Sequence, residues 1–253
     1  MKSLASDEDI VIRDCTSLEE LAECVAVQRA VWRFTDEDLI PVRFFVVAQK
    51  IEGQVIGAFA PSGKLVGFCL AVPALRGPKV YLHSHMLAVL PEYRDRGLGR
   101  QLKLEQRRKA LDQGIRWIEW TFDPLEGKNA HFNLERLGAV ARRYVPNQYG
   151  ITASPLHRGL PTDRLVAEWW LESPRAVACA EGRPKPPVEI CRRIAIPLDI
   201  AGEHDKKEGT LAGVQREVRR QFQEGFGEGL TAVGFEVVGN TGNYLLGPWA
   251  GAD

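Results

Sequence analysis

The chain has 253 residues, 45% of them hydrophobic, which is enough for one large domain or for an ordinary domain with a smaller one. It carries 33 basic and 33 acidic residues, so a nucleic acid or an anionic membrane surface is not expected as its main partner. The polar start, MKSLASDED, and the absence of a long apolar run predict neither a secretory signal nor a membrane span, and we expect a cytoplasmic protein.

Cysteine and histidine spacing gives no metal or disulfide pattern. The five cysteines are an odd number without a Cys-x-x-Cys pair, and the five histidines form no His-x-x-x-His pair. We therefore expect reduced, mostly buried thiols and no metal site.

The first third of the chain alternates short apolar runs with amphipathic stretches. The predicted elements are a strand at 10–15, a helix from a Thr16 or Ser17 cap to about Arg33, a helix at 41–50, and a hairpin of strands 55–60 and 64–72 joined by Pro-Ser-Gly.

The stretch 79–104 is the one around which the chain is organised. It reads KVYLHSHMLAVLPEYRDRGLGRQLKL, an apolar strand followed by a Pro-bounded elbow, a glycine pair and a basic helix. Such a turn leaves backbone N–H groups unpaired at the positive end of the helix dipole, where an anion can bind. Arg94, Arg96 and Arg100 crowd this point, so a pyrophosphate is the natural candidate.

Two common phosphate loops do not fit this stretch. The dinucleotide fingerprint needs a third glycine three residues after Gly99, and a P-loop needs a Gly-Lys-Ser/Thr run that the chain lacks. Arg94 to Gly99, RDRGLG, instead resembles the acyl-CoA motif Arg/Gln-x-x-Gly-x-Gly/Ala of the GNAT superfamily of N-acetyltransferases. The alternative is an ordinary glycine turn with solvated arginines. Support for the motif comes from a basic stripe at helical spacing, made of Arg96, Arg100, Lys103 and Arg107.

The resemblance implies a fold and a donor site. The fold would be of the α/β (α+β) class, with a mixed, mostly antiparallel twisted sheet flanked by helices. The cofactor would be acetyl-CoA or succinyl-CoA. The backbone N–H of Leu87 would bind the thioester carbonyl, and Val89 would pair with the pantetheine arm. The phosphates would lie on the loop made of Arg94, Asp95, Arg96, Gly97, Leu98, Gly99 and Arg100.

The strand before the loop carries two candidate bases. In an extended chain, His83 and His85 share one face with Tyr81, Leu87 and Val89. Imidazole is well matched to accept a proton from an ammonium nucleophile near neutral pH, and we place His85 slightly ahead of His83. The alternative is that one or both are hydrogen-bonded core residues.

The segment after the next strand departs from the family pattern. Elements are predicted at 116–122, 129–137 and 140–145, with Gly138 closing the helix. KNAHFNLERLGA resembles the GNAT segment Asn-x-x-Ala to Tyr-x-x-x-Gly-Phe, but Leu134 replaces the tyrosine that usually protonates the CoA thiolate, and Ala139 the phenylalanine. The remaining candidates for the general acid are Tyr144 and Tyr149, although the thiolate is a good leaving group and could leave without an acid. Asn129 and Asn133 are candidate pantetheine-binding residues, and the alternative for Asn129 is a helix N-cap.

The last third predicts an extension that a minimal GNAT domain lacks. We expect an acyltransferase domain at 1–172 and a strand–helix–hairpin extension at 173–253, packed on or beside the acceptor cleft. Its terminal hairpin could add strands to the main sheet, cover the cleft or form an edge contact in a homodimer. The predicted elements are strands at 164–171 and 190–196, a linker at 181–187, a helix at 210–226 and hairpin strands at 231–238 and 243–246.

Together these features predict an acyl-CoA-dependent N-acyltransferase. It would move an acetyl or succinyl group to the primary amine of a small molecule, an amino acid or related amine, by direct attack in a ternary complex. The basic residues Arg76, Arg116, Arg142 and Arg143 could bind a carboxylate on acceptor or donor. The alternative is a non-catalytic acyl-CoA-binding module with a degenerate site, and protein lysine acetylation is a third, less favoured reading.

Overall fold

The computed structural model describes residues 10–150, 159–198 and 208–251. Its contacts divide the chain into two compact units, residues 1–118 and 119–253. The predicted domain boundary at 172/173 lies inside the second unit and stays a prediction. The polar start at 1–9 lies outside the described residues. Within the described ranges, no helix is both long enough and apolar enough to cross a bilayer.

The first unit contains four antiparallel strands in the sequential order β1-β2-β3-β4. Its elements are β1 (Val11–Asp14), α1 (Leu18–Trp32), α2 (Val42–Lys50), β2 (Gln54–Phe59), β3 (Leu65–Arg76), β4 (Lys79–Val89), a 3₁₀ turn (Pro91–Tyr93) and α3 (Leu98–Asp112). Strand, two helices, hairpin, strand and glycine loop follow one another as the sequence predicts.

Helices α2 and α3 cover opposite faces of β4. The ring of Phe44 on α2 lies 6.4 Å from that of His85, whereas Lys103 on α3 donates to Ser84. Neighbouring strand residues point to opposite faces, so β4 has one imidazole-bearing face and one face toward α3. Buried apolar side chains such as Phe68, Leu70 and Leu102 fill the core between these layers.

Strand β3 is longer than predicted. The predicted strand ends at residue 72, but β3 continues to Arg76 and pairs Pro73 with Leu82. Proline lacks a backbone N–H and is tolerated where no neighbouring strand needs that donor. Pairing with β2 stops at Ala71, so the missing donor of Pro73 leaves no ladder bond unmade on that side.

The second unit places the terminal hairpin in a sheet of the order β7-β6-β9-β10-β8. Strand β9 pairs antiparallel with β6 through Ala141 and Ala232, so the hairpin adds strands, one of the three expected arrangements. The elements are β5 (Trp117–Phe122), which crosses the boundary between the units, α4 (Gly127–His131), a π-helical turn (Phe132–Arg136), β6 (Val140–Val145), β7 (Arg164–Trp170), α5 (Pro174–Ala180), β8 (Arg192–Pro197), α6 (Glu208–Gly227), β9 (Thr231–Val238) and β10 (Thr241–Gly247).

The helix predicted at 129–137 differs in its start and its type. It begins at Gly127 after the N-cap Glu126, so Asn129 lies inside the helix and is not its cap. Its second half is a π-helical turn, whereas Gly138 closes the segment with φ of 72°, as predicted. A Cβ at Gly138 would lie 2.7 Å from the carbonyl oxygen of Arg175, so close approach of α5 also requires glycine.

Helix α5 was not predicted, although it has a local signal. The hydroxyl of Ser173 accepts a hydrogen bond from the backbone N–H of Ala176, and Pro174 occupies the first turn. Serine at the N-cap and proline just inside are typical of a helix start. The small residues that follow give no clear helical periodicity of apolar positions, so periodicity alone did not predict this helix.

All five cysteines are free thiols. Cys15, Cys24, Cys69 and Cys179 are buried, and Cys191 is exposed. The prediction that the thiols are mostly buried is confirmed.

Candidate active site

The loop between β4 and α3 presents backbone donors at one point. Asp95 and Gly97 both adopt positive φ, at 59° and 79°, and Gly97 is the N-cap of α3. The first bond of the helix runs from the N–H of Gln101 to the carbonyl of Gly97 at 3.0 Å. The preceding amides, those of residues 98–100, therefore have no acceptor within the helix and point out of its start.

Positive charge accompanies these donors. The first turn of α3 contains no acidic residue, and Gly97 has no side chain with which to cap it. The guanidinium of Arg96 lies 5.6 Å from the ring centroid of Tyr93, and a Cβ at Gly97 would meet no atom within 4 Å. The helix dipole, the open approach and the arginines together favour an anion at this point.

Arg94 is tied to the end of β4. Its Nε donates to the carbonyl oxygen of Val89 at 3.1 Å, while the backbone N–H of Arg94 donates to the carbonyl of Pro91. One acceptor position at Val89 is thus already used by the loop. Of the other predicted loop residues, Leu98 is buried in the core, so only its backbone is available at the turn.

The predicted basic stripe on α3 is wrong at Lys103. Only 2% of Lys103 is exposed, and its ammonium lies beneath β4 rather than in solvent. Helical spacing alone placed it with Arg96, Arg100 and Arg107.

Both candidate bases lie on the face of β4 opposite α3. The imidazole centroids of His83 and His85 are 5.9 Å apart. Leu82, Ser84, Met86 and Ala88 are buried, whereas Tyr81, His83, His85, Leu87 and Val89 retain accessible surface. The predicted common face of these five residues is wrong beyond His85, because Leu87 pairs with Cys69, whose thiol contacts Leu102 of α3.

A bulge at His85 interrupts the ladder between β3 and β4. Leu70 pairs with Met86 and Ala71 with Ser84, which leaves His85 without a partner residue on β3. Bulges re-aim side chains and often lie beside active sites. This bulge lies two residues before Leu87, the predicted donor to the thioester carbonyl.

The environment of His85 favours its neutral form. Desolvation by burial lowers the pKa of His85 from its ordinary value of 6.5. A neutral imidazole is the form that can accept a proton.

An aromatic and cationic stack extends the same face of the first unit. The rings of Tyr81 and Trp117 are parallel within 5° and 4.9 Å apart, and the guanidinium of Arg76 lies 5.2 Å from the Tyr81 ring. Alternation along β4 puts Tyr81 on the face of His83. This face therefore carries a basic group and flat apolar surface as well as imidazoles.

The two predicted asparagines differ in accessibility within the second unit. Asn133 is buried, and its Oδ1 accepts a hydrogen bond from the indole Nε1 of Trp120 at 3.2 Å. Asn129 is exposed on α4. A bound ligand could reach Asn129 directly, whereas the amide oxygen of Asn133 is already engaged.

The two tyrosines named as candidate acids have polar partners. The hydroxyl of Tyr144 donates to Asp163 at 2.6 Å, and burial together with this carboxylate raises the pKa of Tyr144 well above its ordinary value. Arg219 of α6 binds the same carboxylate with two bonds of 2.8 Å. The Tyr149 hydroxyl lies 3.1 Å from that of Thr121 and is exposed.

Arg142 and Arg143 are held by buried carboxylates. Arg142 contacts Glu168 at 2.6 Å and Arg143 contacts Glu119 at 2.8 Å, with both glutamate side chains at most 4% exposed. A register shift between residues 141 and 143 of β6 makes Arg142 an extra residue on its strand. A substrate carboxylate at either arginine would have to compete with these glutamates.

A comparison with protein families finds a model that matches part of the chain. A profile described as "Acetyltransferase (GNAT) domain" matches residues 41–138, which include α2, the strands β2 to β4, the loop and α3. Comparison with curated protein sequences gives no match.

Solved structures share the fold. An acetyltransferase of the GNAT family from Streptococcus pneumoniae is 20% identical with a TM-score of 0.51, over 63% of this chain and 98% of that one. NAA60 of Arabidopsis thaliana, in complex with a bisubstrate analogue, is 16% identical with a TM-score of 0.52, over 64% and 97%. Aminoglycoside 6′-acetyltransferase type Ii is 17% identical with a TM-score of 0.51, over 64% and 98%. The predicted fold class, a mixed and mostly antiparallel sheet with flanking helices, is confirmed.

Proposed function

Because a GNAT acetyltransferase domain model matches residues 41–138, we propose that this chain is a GNAT-family N-acetyltransferase that uses an acyl-CoA donor. We propose that it acylates the primary amine of a small molecule by direct attack in a ternary complex. The observation that carries the proposal comes from the first unit. There, α3 begins without a side-chain cap and without an acidic residue in its first turn, and β4 carries two imidazoles on its accessible face. The first feature suits the donor, and the second suits an amine nucleophile.

The donor would bind along the end of β4 and the start of α3. The pyrophosphate would accept hydrogen bonds from amides of the loop Arg94 to Arg100, with the arginines neutralising its charge. The N–H of Leu87 would bind the thioester carbonyl, and Val89 would pair with pantetheine. In the second unit we propose Asn129 and Asn133 as further pantetheine contacts.

His85, or His83 beside it, would take the proton from the attacking ammonium. The free amine then attacks the thioester carbon, the negative charge develops on the carbonyl oxygen near the Leu87 N–H, and the C–S bond breaks to release CoA thiolate. Water or Tyr144 would protonate the thiolate. Because Asp163 holds the Tyr144 hydroxyl, we expect Tyr144→Phe to reduce turnover far less than a histidine substitution.

The acceptor we propose is an amino acid or related amine, and acetyl is the first choice of acyl group, with succinyl as the second. Arg76, above the Tyr81 ring, is a basic group on the imidazole face that could attract a carboxylate. The pairing of Arg142 and Arg143 with Glu168 and Glu119 makes them weaker candidates for that role. A homodimer stays a prediction that sedimentation can check.

The test is release of free thiol from acetyl-CoA and succinyl-CoA with a panel of small amines and lysine peptides. We expect His85→Gln to lower kcat by about 100-fold or more and to remove the acidic limb of the pH profile, with acetyl-CoA affinity unchanged. His131→Gln, an exposed histidine on α4, is the matched control. Full activity of a folded His83→Gln/His85→Gln double variant would contradict the base assignment, and thiol release with peptides alone would contradict the small-molecule acceptor.

A further inference from the structure

Lys103 is a buried lysine on the helix that begins at the loop. Only 2% of it is exposed, and Leu98, Leu102 and Ala110 bury the neighbouring surface of α3. Desolvating an amine is unfavourable unless it is well hydrogen-bonded, and a methionine or leucine would fill the same space. Such a residue breaks a rule of core composition, which proteins do mainly at functional sites.

The contacts of the Lys103 amine connect α3 to β4. Its Nζ donates to the hydroxyl of Ser84 at 3.0 Å and to Oε1 of Gln106, three residues along the helix, at 2.7 Å. Gln106 is fully buried, and among the described residues its Nε2 has no hydrogen-bond partner. The amide is therefore turned toward Lys103 even though this leaves its own donor unsatisfied.

Ser84 lies between the two candidate bases. It is flanked by His83 and His85, and it faces α3 while they face the opposite side of β4. The bulge leaves His85 without a partner residue on β3, so the ladder constrains this position less than its neighbours. The hydrogen bond between Lys103 and Ser84 therefore fixes the residue next to His85.

The same helix also provides the candidate anion site. Lys103 follows Gly97, the N-cap, by less than two turns, or about 9 Å along the axis. A helix is rigid over that length, so a group fixed to Lys103 is also fixed relative to the amides at the helix start.

We propose that Lys103 is a positioning residue that, through Ser84, sets the location of the His83–His85 pair relative to the loop at the start of α3. The catalytic consequence rests on the function proposed above, in which an imidazole takes the proton of the amine. The positional claim rests only on the contacts in the first unit.

The experiment compares Lys103→Met, Ser84→Ala and their double variant with the wild type, and uses Lys109→Met as the matched control. Lys109 is on the same helix but pairs with Asp14 at 2.6 Å instead of with β4. We expect Lys103→Met to fold with equal or higher thermal stability and to lower kcat about tenfold, with the KM for acetyl-CoA nearly unchanged. Its histidine side-chain NMR signals for His83 and His85 should shift, and those of the control should not.

The double variant of Lys103 and Ser84 distinguishes two explanations: that the two residues act through their shared hydrogen bond, or that each substitution independently perturbs the packing. If the two residues act through one bond, the double variant loses no more kcat than the worse single variant. Multiplying losses, or unshifted His83 and His85 signals in Lys103→Met, would overturn the inference. If Lys103→Met does not fold, Ser84→Ala, which removes a single oxygen, supplies the same NMR and kinetic comparison.

Failure of the proposed function would look different. No thiol release by the wild type with any amine would contradict the proposed function, whereas the histidine signals would still decide whether Lys103 positions the imidazoles. Thiol release that is lost in His85→Gln but unaffected in Lys103→Met would support the proposed function and overturn the inference.

Discussion

The helices α1 and α3, each of 15 residues, begin in opposite ways. At α1 the hydroxyl of Ser17 accepts from the N–H of Glu20 at 3.3 Å, and the Glu20 carboxylate accepts from the N–H of Thr16 at 2.6 Å. At α3 the cap is Gly97, and its first turn contains no acidic residue.

The difference shows what each helix start is for. At α1, the Ser17 hydroxyl accepts from one amide of the first turn, and Glu19 and Glu20 supply negative charge there. At α3 the cap residue has no side chain, the first turn contains no acidic residue, and Arg94, Arg96 and Arg100 lie in or next to the turn. An anion from outside can then supply what Ser17 and Glu20 supply at α1.

The largest effect is expected from an acidic residue placed at the N-cap of α3. We expect Gly97→Asp to weaken acetyl-CoA binding on the order of 100-fold, because the carboxylate would occupy the anion position and repel the phosphates. Isothermal titration calorimetry measures the loss.

Gly63→Asp is the matched control for that change. Gly63 has φ of 82°, close to the 79° of Gly97, and open space around its Cβ position, but it lies in the turn between β2 and β3. Equal affinity of the Gly63→Asp and Gly97→Asp variants would show that the start of α3 does not bind the donor phosphates.

Removing the cap of α1 tests the other side of the contrast. We expect Ser17→Ala to lower the free energy of unfolding by about 1 kcal/mol, since the Glu20 N–H loses its acceptor. Affinity for acetyl-CoA should stay at the wild-type value. Urea unfolding measures the first quantity, with the exposed turn variant Ser62→Ala as control, and a stability loss no larger than that of the control would argue against the cap.

The smallest expected effect is a pH dependence at α1. Hydrogen bonding with Arg13, the largest cause, lowers the pKa of Glu20 to about 2. A carboxyl whose pKa is lower in the folded state stabilises the fold above the unfolded pKa, and this contribution is lost as the pH falls toward 2. At pH 7 we expect the free energy of unfolding of the wild type to be about 0.5 kcal/mol higher than that of Glu20→Gln. This difference should disappear between about pH 5 and 2. A gap that does not change over that range would exclude the linkage.

Features decided by neighbours in sequence could be predicted. Ser17 as a cap, the Pro-Ser-Gly hairpin and the strand–loop–helix around Gly97 all depend on local backbone chemistry. The fold class followed from the same motifs, because a resemblance carried by the loop extends to the sheet that holds it.

Features that depend on contacts between residues distant in sequence could not be predicted. The passage of β3 through Pro73 depends on where β2 stops, and the burial of Lys103 depends on Ser84 opposite it. The bulge at His85 is a property of the pairing between two strands, so alternation along β4 alone does not contain it. These positions also shape the candidate site, so its residue types were more predictable than its geometry.

The pairing of β9 with β6 affects how this chain can be shortened. A polypeptide ending at residue 172 would keep β6 but lose β9, its neighbour in the sheet on one side. Exposed strand edges recruit other chains, and proteins avoid leaving them open. Truncation to the length of a minimal domain should therefore yield self-associating, poorly soluble material, even though every residue of the loop and of β4 would still be present.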